Sequence, residues 1–228
     1  MRIAEIFYSV QGEGNLLGTP SVFIRTSGCN LRCVWCDTPY TSWKPEGRDW
    51  ALREILAETK HYDTRYAVIT GGEPLLAHGI EELTLRLKRD GFHITIETAA
   101  TIFKPVECDL VSMSPKLFNS TPWKRDQGKF ARMHEDHRLG LPVIQQFMDR
   151  YDYQLKFVAE EKRDFSEIEQ ILGKLKNVSR DRVLVMAQGR TKRELRDRAA
   201  WIVNLCKKHG FRYTPRLQIE LYGNRRGT

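Results

Sequence analysis

The chain has 228 residues, of which 41% are hydrophobic and 29% charged, a balance that supports one full-sized core and excludes a disordered protein. No apolar run approaches the roughly 18 residues of a membrane-spanning helix, and the N-terminal residues do not resemble a signal peptide. We therefore expect a cytoplasmic protein with reduced thiols, whose formal net charge of +8 favours anionic ligands or acidic partners.

Short β-rich runs alternate with helical patterns along the chain. Strands are predicted at residues 21–26, 66–70, 92–98, 109–113, 153–158, 182–187 and 216–221. Helices are predicted from three apolar sets: Leu52, Ile55 and Leu56 with Asp49 as N-cap, then Ile168, Ile171, Leu172 and Leu175, then Leu195 and Ile202. The alternation is typical of βα units, and about six units are too few for a complete eight-unit barrel. The sequence therefore predicts an α/β fold, a partial TIM-like barrel of about six parallel βα units.

We expect these units to form a single domain that spans residues 1–228. One stretch interrupts the alternation, because residues 117–140 are polar and mixed in charge. Such a stretch is typical of a surface excursion. A lid over a site is the second interpretation, since long loops often cover sites at the edge of a sheet.

Three of the five cysteines lie in GCNLRCVWCDT, residues 28–38, which we name the cysteine loop. Their spacing, C-x3-C-x2-C at Cys29, Cys33 and Cys36, allows one loop to wrap its sulfurs around a single centre. A structural zinc site usually takes four ligands as two separated pairs, and the other two cysteines are isolated. Thiolates also bind iron–sulfur clusters, and a cubane held by three cysteines leaves one iron open to a further ligand.

The cysteine loop resembles the signature of the radical S-adenosylmethionine (SAM) superfamily, and two further features carry this resemblance. Trp35 stands where the superfamily has an aromatic residue near the adenine. TGGEP at residues 70–74 follows a predicted strand, like the motif that receives the methionine amino group. The resemblance implies a radical SAM core with a [4Fe-4S] cluster and SAM. It also implies their chemistry, reductive cleavage of SAM to a 5′-deoxyadenosyl radical, in a site that the protein positions and shields.

A narrower resemblance begins near the N-terminus. The segment EIFYSVQGEGNLLGTPSVFIRTSGCNLRCVWCDT, residues 5–38, is similar to the 7-carboxy-7-deazaguanine synthase (QueE) family over its whole length. SPK at 114–116 and LYGNRRGT at 221–228 also resemble that family. The resemblance implies a Mg²⁺-dependent carbon–nitrogen lyase. Its reaction would convert 6-carboxy-5,6,7,8-tetrahydropterin into 7-carboxy-7-deazaguanine with loss of ammonia, on the route to queuosine-type tRNA modification.

The residues themselves suit a carboxylated pterin. In VQGEG, Gln11 can donate and accept hydrogen bonds, and glycine allows the backbone to approach a flat ring. Arg25 ends a predicted strand shortly before the first cysteine, where a guanidinium can clamp a carboxylate through two bonds. By the resemblance, a substrate loop at residues 8–20 binds the pterin through Val10, Gln11 and Gly12, and Arg25 binds its carboxylate.

The resemblance implies roles for residues elsewhere in the chain, none of which acts as the catalyst itself. Thr38 is expected to bind Mg²⁺, with substrate and water supplying the other oxygens. Thr70 and Thr228 are expected to contact the substrate. The expected SAM-binding residues are Trp35, Cys36, Asp37, Gly72, Glu73, Glu97, Ser114, Pro115, Lys116, Met186, Ala187, Gln188 and Gly189. Ala100 stands where we expect the family to have glycine, a departure that bears on the expected role of Glu97 near the SAM ribose.

Two other functions remain open from the sequence. A radical SAM activase, which makes a glycyl radical on a partner enzyme, would share the cysteine loop and GGEP but lack the pterin-binding residues. A zinc-stabilised nucleic-acid module would use the positive charge, yet acidic residues interrupt the basic run at 189–198. For the synthase we expect a homodimer, a flavodoxin- or ferredoxin-type electron donor, and no direct contact with nucleic acid or membrane.

Overall fold

The computed structural model describes residues 1–228 and consists of one nine-stranded sheet with helices packed on its outer side. The strands are β1 (Arg2–Val10), β2 (Pro20–Thr26), β3 (Arg48–Asp49), β4 (Tyr66–Gly71), β5 (His93–Thr98), β6 (Leu110–Met113), β7 (Tyr153–Ala159), β8 (Val183–Ala187) and β9 (Arg212–Tyr213). The helices are α1 (Pro39–Ser42), α2 (Leu52–Lys60), α3 (Ile80–Arg89), α4 (Ala131–His137), α5 (Leu141–Arg150), α6 (Asp164–Leu172), α7 (Lys192–His209) and α8 (Leu217–Tyr222). The structure contains no helix with the length and apolar character needed to span a lipid bilayer.

The sheet is an open barrel. Its strands occur in the order β3-β1-β2-β4-β5-β6-β7-β8-β9, and the two end strands do not pair with each other. From β2 to β9 every neighbouring pair is parallel, whereas β1 pairs antiparallel with β2 and with β3. The partial TIM-like barrel of about six parallel units is therefore confirmed, with β1, β3 and β9 as additional edge strands that the sequence patterns did not predict.

Alternation along the parallel strands separates the apolar core from the inner face of the barrel. In β7, Leu155 and Phe157 belong to the core that the helices cover, whereas Lys156 faces the inside. The neighbouring strands follow the same rule and place these polar side chains on the inner face: Arg25, Thr70, Glu97 and Ser112. The residues between them pack outwards: Ile24, Ile69, Ile96 and Val111. Five adjacent strands thus direct polar groups into one enclosed space.

Three sequence-based predictions about individual elements are wrong. Residues 216–221, predicted as a strand, form α8 instead, with Ile219 as its buried residue. Six residues of alternating character do not distinguish a short helix from a strand. The N-cap of α2 is Ala51 and not Asp49, which lies in β3. Leu175, predicted to continue the stripe of α6, lies beyond the end of that helix and packs on the core from the following loop.

Residues 117–140, predicted as a polar excursion, contain α4 and pack against the outer side of the cysteine loop. Val34 N donates to Ser120 O at 2.7 Å, and Arg32 N donates to His134 Nδ1 at 3.1 Å. His134 is fully buried, and this burial lowers its pKa to about 4, so a neutral ring accepts the bond. Residues 117–140 therefore stabilise the cysteine loop through hydrogen bonds on its outer side. They line neither of the cavities at the opening of the barrel.

Candidate active site at the carboxyl ends of the strands

Two adjoining cavities open at the carboxyl ends of the parallel strands. The inner cavity, about 190 Å³, lies between the cysteine loop, the inner face of the barrel and the turns after β4, β6 and β8. The outer cavity, about 380 Å³, lies beside β1, α1 and the C-terminal residues 223–228. Five residues line both cavities: Arg25, Asp37, Thr38, Glu97 and Arg216. Ligands bound in the two cavities would therefore lie in contact with the same side chains.

All three thiols of the cysteine loop line the inner cavity. Leu31 N donates to Cys29 Sγ at 3.3 Å, and Cys36 Sγ lies 3.2 Å from Ser42 Oγ. Burial raises the pKa of Cys29 to about 12 and also raises that of Cys33. Such buried thiols ionise readily only when a metal compensates the charge. Three soft sulfurs that line one cavity fit an iron–sulfur cluster.

The GGEP turn after β4 packs directly onto the cysteine loop. A Cβ atom on Gly72 would lie 2.2 Å from Gly28 O, so only glycine permits this approach. Glu73 N donates to Gly28 O at 2.9 Å, and the Glu73 carboxylate accepts bonds from Thr98 Oγ1 at 2.8 Å and Ala99 N at 2.9 Å. The Glu73 carboxylate, whose pKa is raised by burial, thus holds the turn and lines neither cavity. A contact between Glu73 and SAM stays a prediction.

Most of the residues predicted to bind SAM surround the inner cavity. Those that line it are Trp35, Cys36, Asp37, Gly72, Glu97, Ser114, Lys116, Met186, Gln188 and Gly189, whereas Pro115 and Ala187 do not. The Trp35 ring is fixed by the excursion, because its Nε1 donates to Asn119 O at 3.1 Å. The wall thus combines an indole, an ammonium group and the exposed backbone of strand ends, a donor set that fits a charged nucleoside such as SAM.

The residues predicted to bind substrate lie mainly around the outer cavity. Those that line it are Val10, Gln11, Gly12, Arg25 and Thr228, whereas Thr70 lines the inner cavity. Gly12 is required for a second reason, since Leu217 N donates to its carbonyl at 2.9 Å and a Cβ would lie 3.0 Å from Gln218 N. Close approach to α8 therefore demands glycine at this position whether or not a flat ring binds.

Arg25 presents a free guanidinium edge to both cavities. Its only hydrogen bond runs from Nε to Glu5 Oε1 at 2.7 Å, which leaves both Nη atoms without a protein acceptor. The side chain is only 16% exposed, so a bound anion would be little screened by solvent. The arrangement fits a carboxylate bound through two parallel hydrogen bonds.

Thr38 and Asp37 are the residues with hard oxygen donors at the expected Mg²⁺ site. Thr38 lines both cavities, and its hydroxyl accepts one bond, from Thr41 Oγ1 at 3.4 Å. The neighbouring Asp37 carboxylate pairs with Arg216, which lowers the Asp37 pKa although burial opposes ionisation. These residues fit Mg²⁺ only if substrate oxygens and water complete an octahedral shell.

The sequence-based predictions missed a buried charged network between the two cavities. Glu13 Oε1 lies 3.1 Å from Arg216 Nε and accepts from Gln218 Nε2 at 2.9 Å, and its other oxygen pairs with Lys156. Burial opposes ionisation of Glu13, but the two cations outweigh it and lower the pKa to about 2. A lysine within the apolar run YQLKFV was the available signal for Lys156. Nothing in the sequence indicated Arg216, which also donates to Gly189 O at 2.7 Å.

Glu97 sits at the boundary of the cavities among the substrate-loop residues. Its Oε1 accepts from Gln11 Nε2 at 3.2 Å and lies 3.8 Å from Lys156 Nζ. Ala100 adopts φ 55°, the left-handed conformation that favours glycine, which gives a physical reason for glycine at this position. A stacked pair, Phe7 and Phe23 with ring centroids 5.0 Å apart, also lines the outer cavity and was not predicted.

The amino-acid sequence matches one family model and several named proteins. A family model described as the radical SAM superfamily matches residues 23–121. The chain is 44% identical over 227 residues to the 7-carboxy-7-deazaguanine synthase of Rhodopirellula baltica, covering 99% of this chain and 88% of that protein. It is 42% identical over 232 residues to the protein of the same name from Halobacterium salinarum, covering 97% of this chain and 90% of that one.

The fold matches a solved structure as well. The crystal structure of QueE from Escherichia coli superposes with a TM-score of 0.68 and 24% sequence identity, covering 95% of this chain and 93% of that one. A match at 24% identity is evidence for the fold alone. The evidence for the family comes from the two relatives that are more than 40% identical.

Proposed function

This chain belongs to the 7-carboxy-7-deazaguanine synthase family of the radical SAM superfamily, and we propose that it converts 6-carboxy-5,6,7,8-tetrahydropterin into 7-carboxy-7-deazaguanine with loss of ammonia. The observation that supports this reaction best is the pair of adjoining cavities, one with three thiols and one with a free arginine edge. When bound, the [4Fe-4S] cluster and SAM supply a 5′-deoxyadenosyl radical. Relatives of the same name along nearly the whole chain disfavour the activase and zinc-module hypotheses.

The residues of the inner cavity would hold the cluster and SAM. Cys29, Cys33 and Cys36 would hold the cluster, with the Gly72 turn packed against them. The inner-cavity residues predicted for SAM would hold it beside the cluster. Because the cavities share five lining residues, a substrate in the outer cavity would contact some of the same side chains as SAM.

The outer cavity would orient the carboxypterin. The free Nη atoms of Arg25 would bind its carboxylate, and Gln11 would hydrogen-bond the polar edge of the ring. Phe7 and Phe23 would cover an apolar face of the ring. Thr38 would supply one oxygen to Mg²⁺, and the substrate and water would supply the others.

The wider setting of the enzyme follows from the same assignment. The resemblance supports a homodimer, and the net charge of +8 favours an acidic electron donor of the flavodoxin or ferredoxin type. Five free cysteines and a cluster with an open iron are suited to a reducing compartment, which supports the cytoplasm.

The decisive experiment is an anaerobic assay of reconstituted protein with SAM, Mg²⁺, a reductant and the carboxypterin. Mass spectrometry should detect the deazaguanine product, and a separate assay should detect ammonia in the same molar amount as that product. Formation of 5′-deoxyadenosine without the deazaguanine product, at any substrate concentration, would contradict the substrate assignment while leaving radical SAM chemistry intact.

A further inference from the structure

The C-terminal residues 223–228, which we name the tail segment, form one wall of the outer cavity and are attached to the barrel through a single side chain. Arg226 Nη1 donates to Glu46 Oε2 at 2.8 Å, Nη2 donates to Ala4 O at 3.3 Å, and Nε lies 3.4 Å from Glu5 Oε2. The guanidinium also covers the Tyr40 ring, 4.1 Å from its centroid. The other side chains of the tail segment make no hydrogen bond beyond the segment itself.

The carboxylate that holds the tail segment also holds the substrate-facing arginine. Glu5 Oε1 accepts from Arg25 Nε at 2.7 Å and from Tyr40 Oη at 2.6 Å, while its other oxygen faces Arg226. The Glu5 side chain is 12% exposed, whereas that of Arg226 is 45% exposed. Glu5 thus connects Arg25, a cation only 16% exposed that lines both cavities, with Arg226, a more exposed cation that lines the outer cavity.

We propose that Glu5 is a positioning residue that couples the seating of the tail segment to the orientation of Arg25. This proposal rests on the proposed function, in which Arg25 binds the substrate carboxylate. While Arg226 occupies Glu5 Oε2, only Nε of Arg25 is engaged, and both Nη atoms of this cavity-lining residue have no protein acceptor. When the tail segment leaves, Oε2 is free to accept from an Nη atom of Arg25. The guanidinium then closes on Glu5 and competes with the substrate for the same two donors.

Two measurements on Arg226→Ala test the coupling. In the ligand-free protein, amide hydrogen exchange of residues 223–228 should be faster than in the wild type, because the segment loses its attachment. In turnover, KM for the carboxypterin should rise about 5- to 30-fold with kcat changed less than about twofold, since the lost interaction serves binding. Glu5→Gln should accelerate the same amides, although it lies at the other end of the sequence. Arg193→Ala, which removes a 92% exposed arginine on α7, is the matched control and should change neither readout.

A double-variant experiment separates coupling from general destabilisation. If Arg226 acts through Arg25, adding Arg226→Ala to an Arg25→Lys protein should raise KM by less than about twofold further. Arg226→Lys keeps the charge and one of the contacts. Its tail-segment exchange rate and its KM for the carboxypterin should lie between those of the wild type and Arg226→Ala, while its melting temperature should equal that of the wild type. Unchanged tail exchange in Arg226→Ala, or fully additive effects of Arg226→Ala and Arg25→Lys on KM, would overturn the proposal. Failure of the proposed function would instead appear as a wild type that does not turn over the carboxypterin, and the exchange data on Glu5→Gln would still decide whether Glu5 holds the tail segment.

Discussion

Replacing Arg25 by lysine separates a carboxypterin enzyme from other radical SAM enzymes. Lysine keeps the positive charge but has no planar fork. In the structure, Glu5 accepts from Arg25 Nε at 2.7 Å, and both Nη atoms are left for a substrate carboxylate. An ammonium group at this position would donate to Glu5, and its two remaining N–H bonds diverge from one nitrogen. They cannot form the two parallel hydrogen bonds that the Nη atoms of a guanidinium offer to a carboxylate.

The expected loss of kcat/KM in Arg25→Lys is estimated from two charge-assisted hydrogen bonds in a poorly solvated site. Each such bond contributes about 1.5–3 kcal/mol, and the side chain is only 16% exposed, so solvent recovers little of the loss. Because the ammonium group retains part of the attraction, we expect a net loss of about 2–4 kcal/mol, or roughly 30- to 1000-fold in kcat/KM.

The assay compares three activities of Arg25→Lys with those of the wild type. Turnover of the carboxypterin should fall by that factor, whereas slow SAM cleavage without substrate and the iron content should be unchanged. A pterin without the carboxylate should be a poor substrate for both proteins and should respond little to the substitution. Arg193→Lys on the exposed face of α7 is the control for the change of residue type.

Two results would refute this reasoning. Equal loss of carboxypterin turnover and substrate-free SAM cleavage would mean that Arg25 supports the cysteine loop and not the substrate. Equal turnover of carboxylated and uncarboxylated pterins by the wild type would overturn the substrate assignment itself.

Four further predictions concern the cluster, the metal and the buried charges. Cys33→Ala should lose the iron and sulfide of the cluster together with SAM cleavage. Cys206→Ala, which removes a buried thiol that lines neither cavity, should retain both. Normal iron content in Cys33→Ala would contradict cluster binding by three thiols. Thr38→Ala should keep the cluster but require more Mg²⁺ for half-maximal turnover, and an unchanged Mg²⁺ titration would show that the metal lies elsewhere. The folded-state pKa of Glu13 is about 2 against 4.5 for the free side chain, so its contribution to stability is complete above about pH 4.5 and is lost as the pH falls towards 2. Glu13→Gln should therefore lower the melting temperature at pH 7 and flatten its decline between pH 4.5 and 2, and a decline as steep as in the wild type would contradict this. Arg216→Met, which leaves carboxylates buried without their cation, should cost about 3–5 kcal/mol, or on the order of 10 °C in melting temperature.

Local patterns predicted the elements whose signal lies within a few consecutive residues. The central parallel strands were predicted close to their observed bounds, because each is a short run rich in apolar and β-branched residues with turn residues around it. The cysteine spacing and the GGEP turn identified the chemistry for a similar reason, since one loop and one turn carry those groups. The strand predicted at 216–221 was wrong because six residues fit a short helix equally well.

The sequence by itself thus determined the parallel α/β architecture, the three-thiol loop and the family. Tertiary structure alone decided which charges meet: Glu13 pairs with Arg216 and Lys156, and Arg226 reaches Glu5, across more than half the length of the chain. No local pattern encodes such pairs, because the order of strands in the sheet and the return of the C-terminal residues to β1 bring them together. A buried carboxylate such as that of Glu13 requires cationic partners, and its pKa is set by neighbours that are remote in sequence.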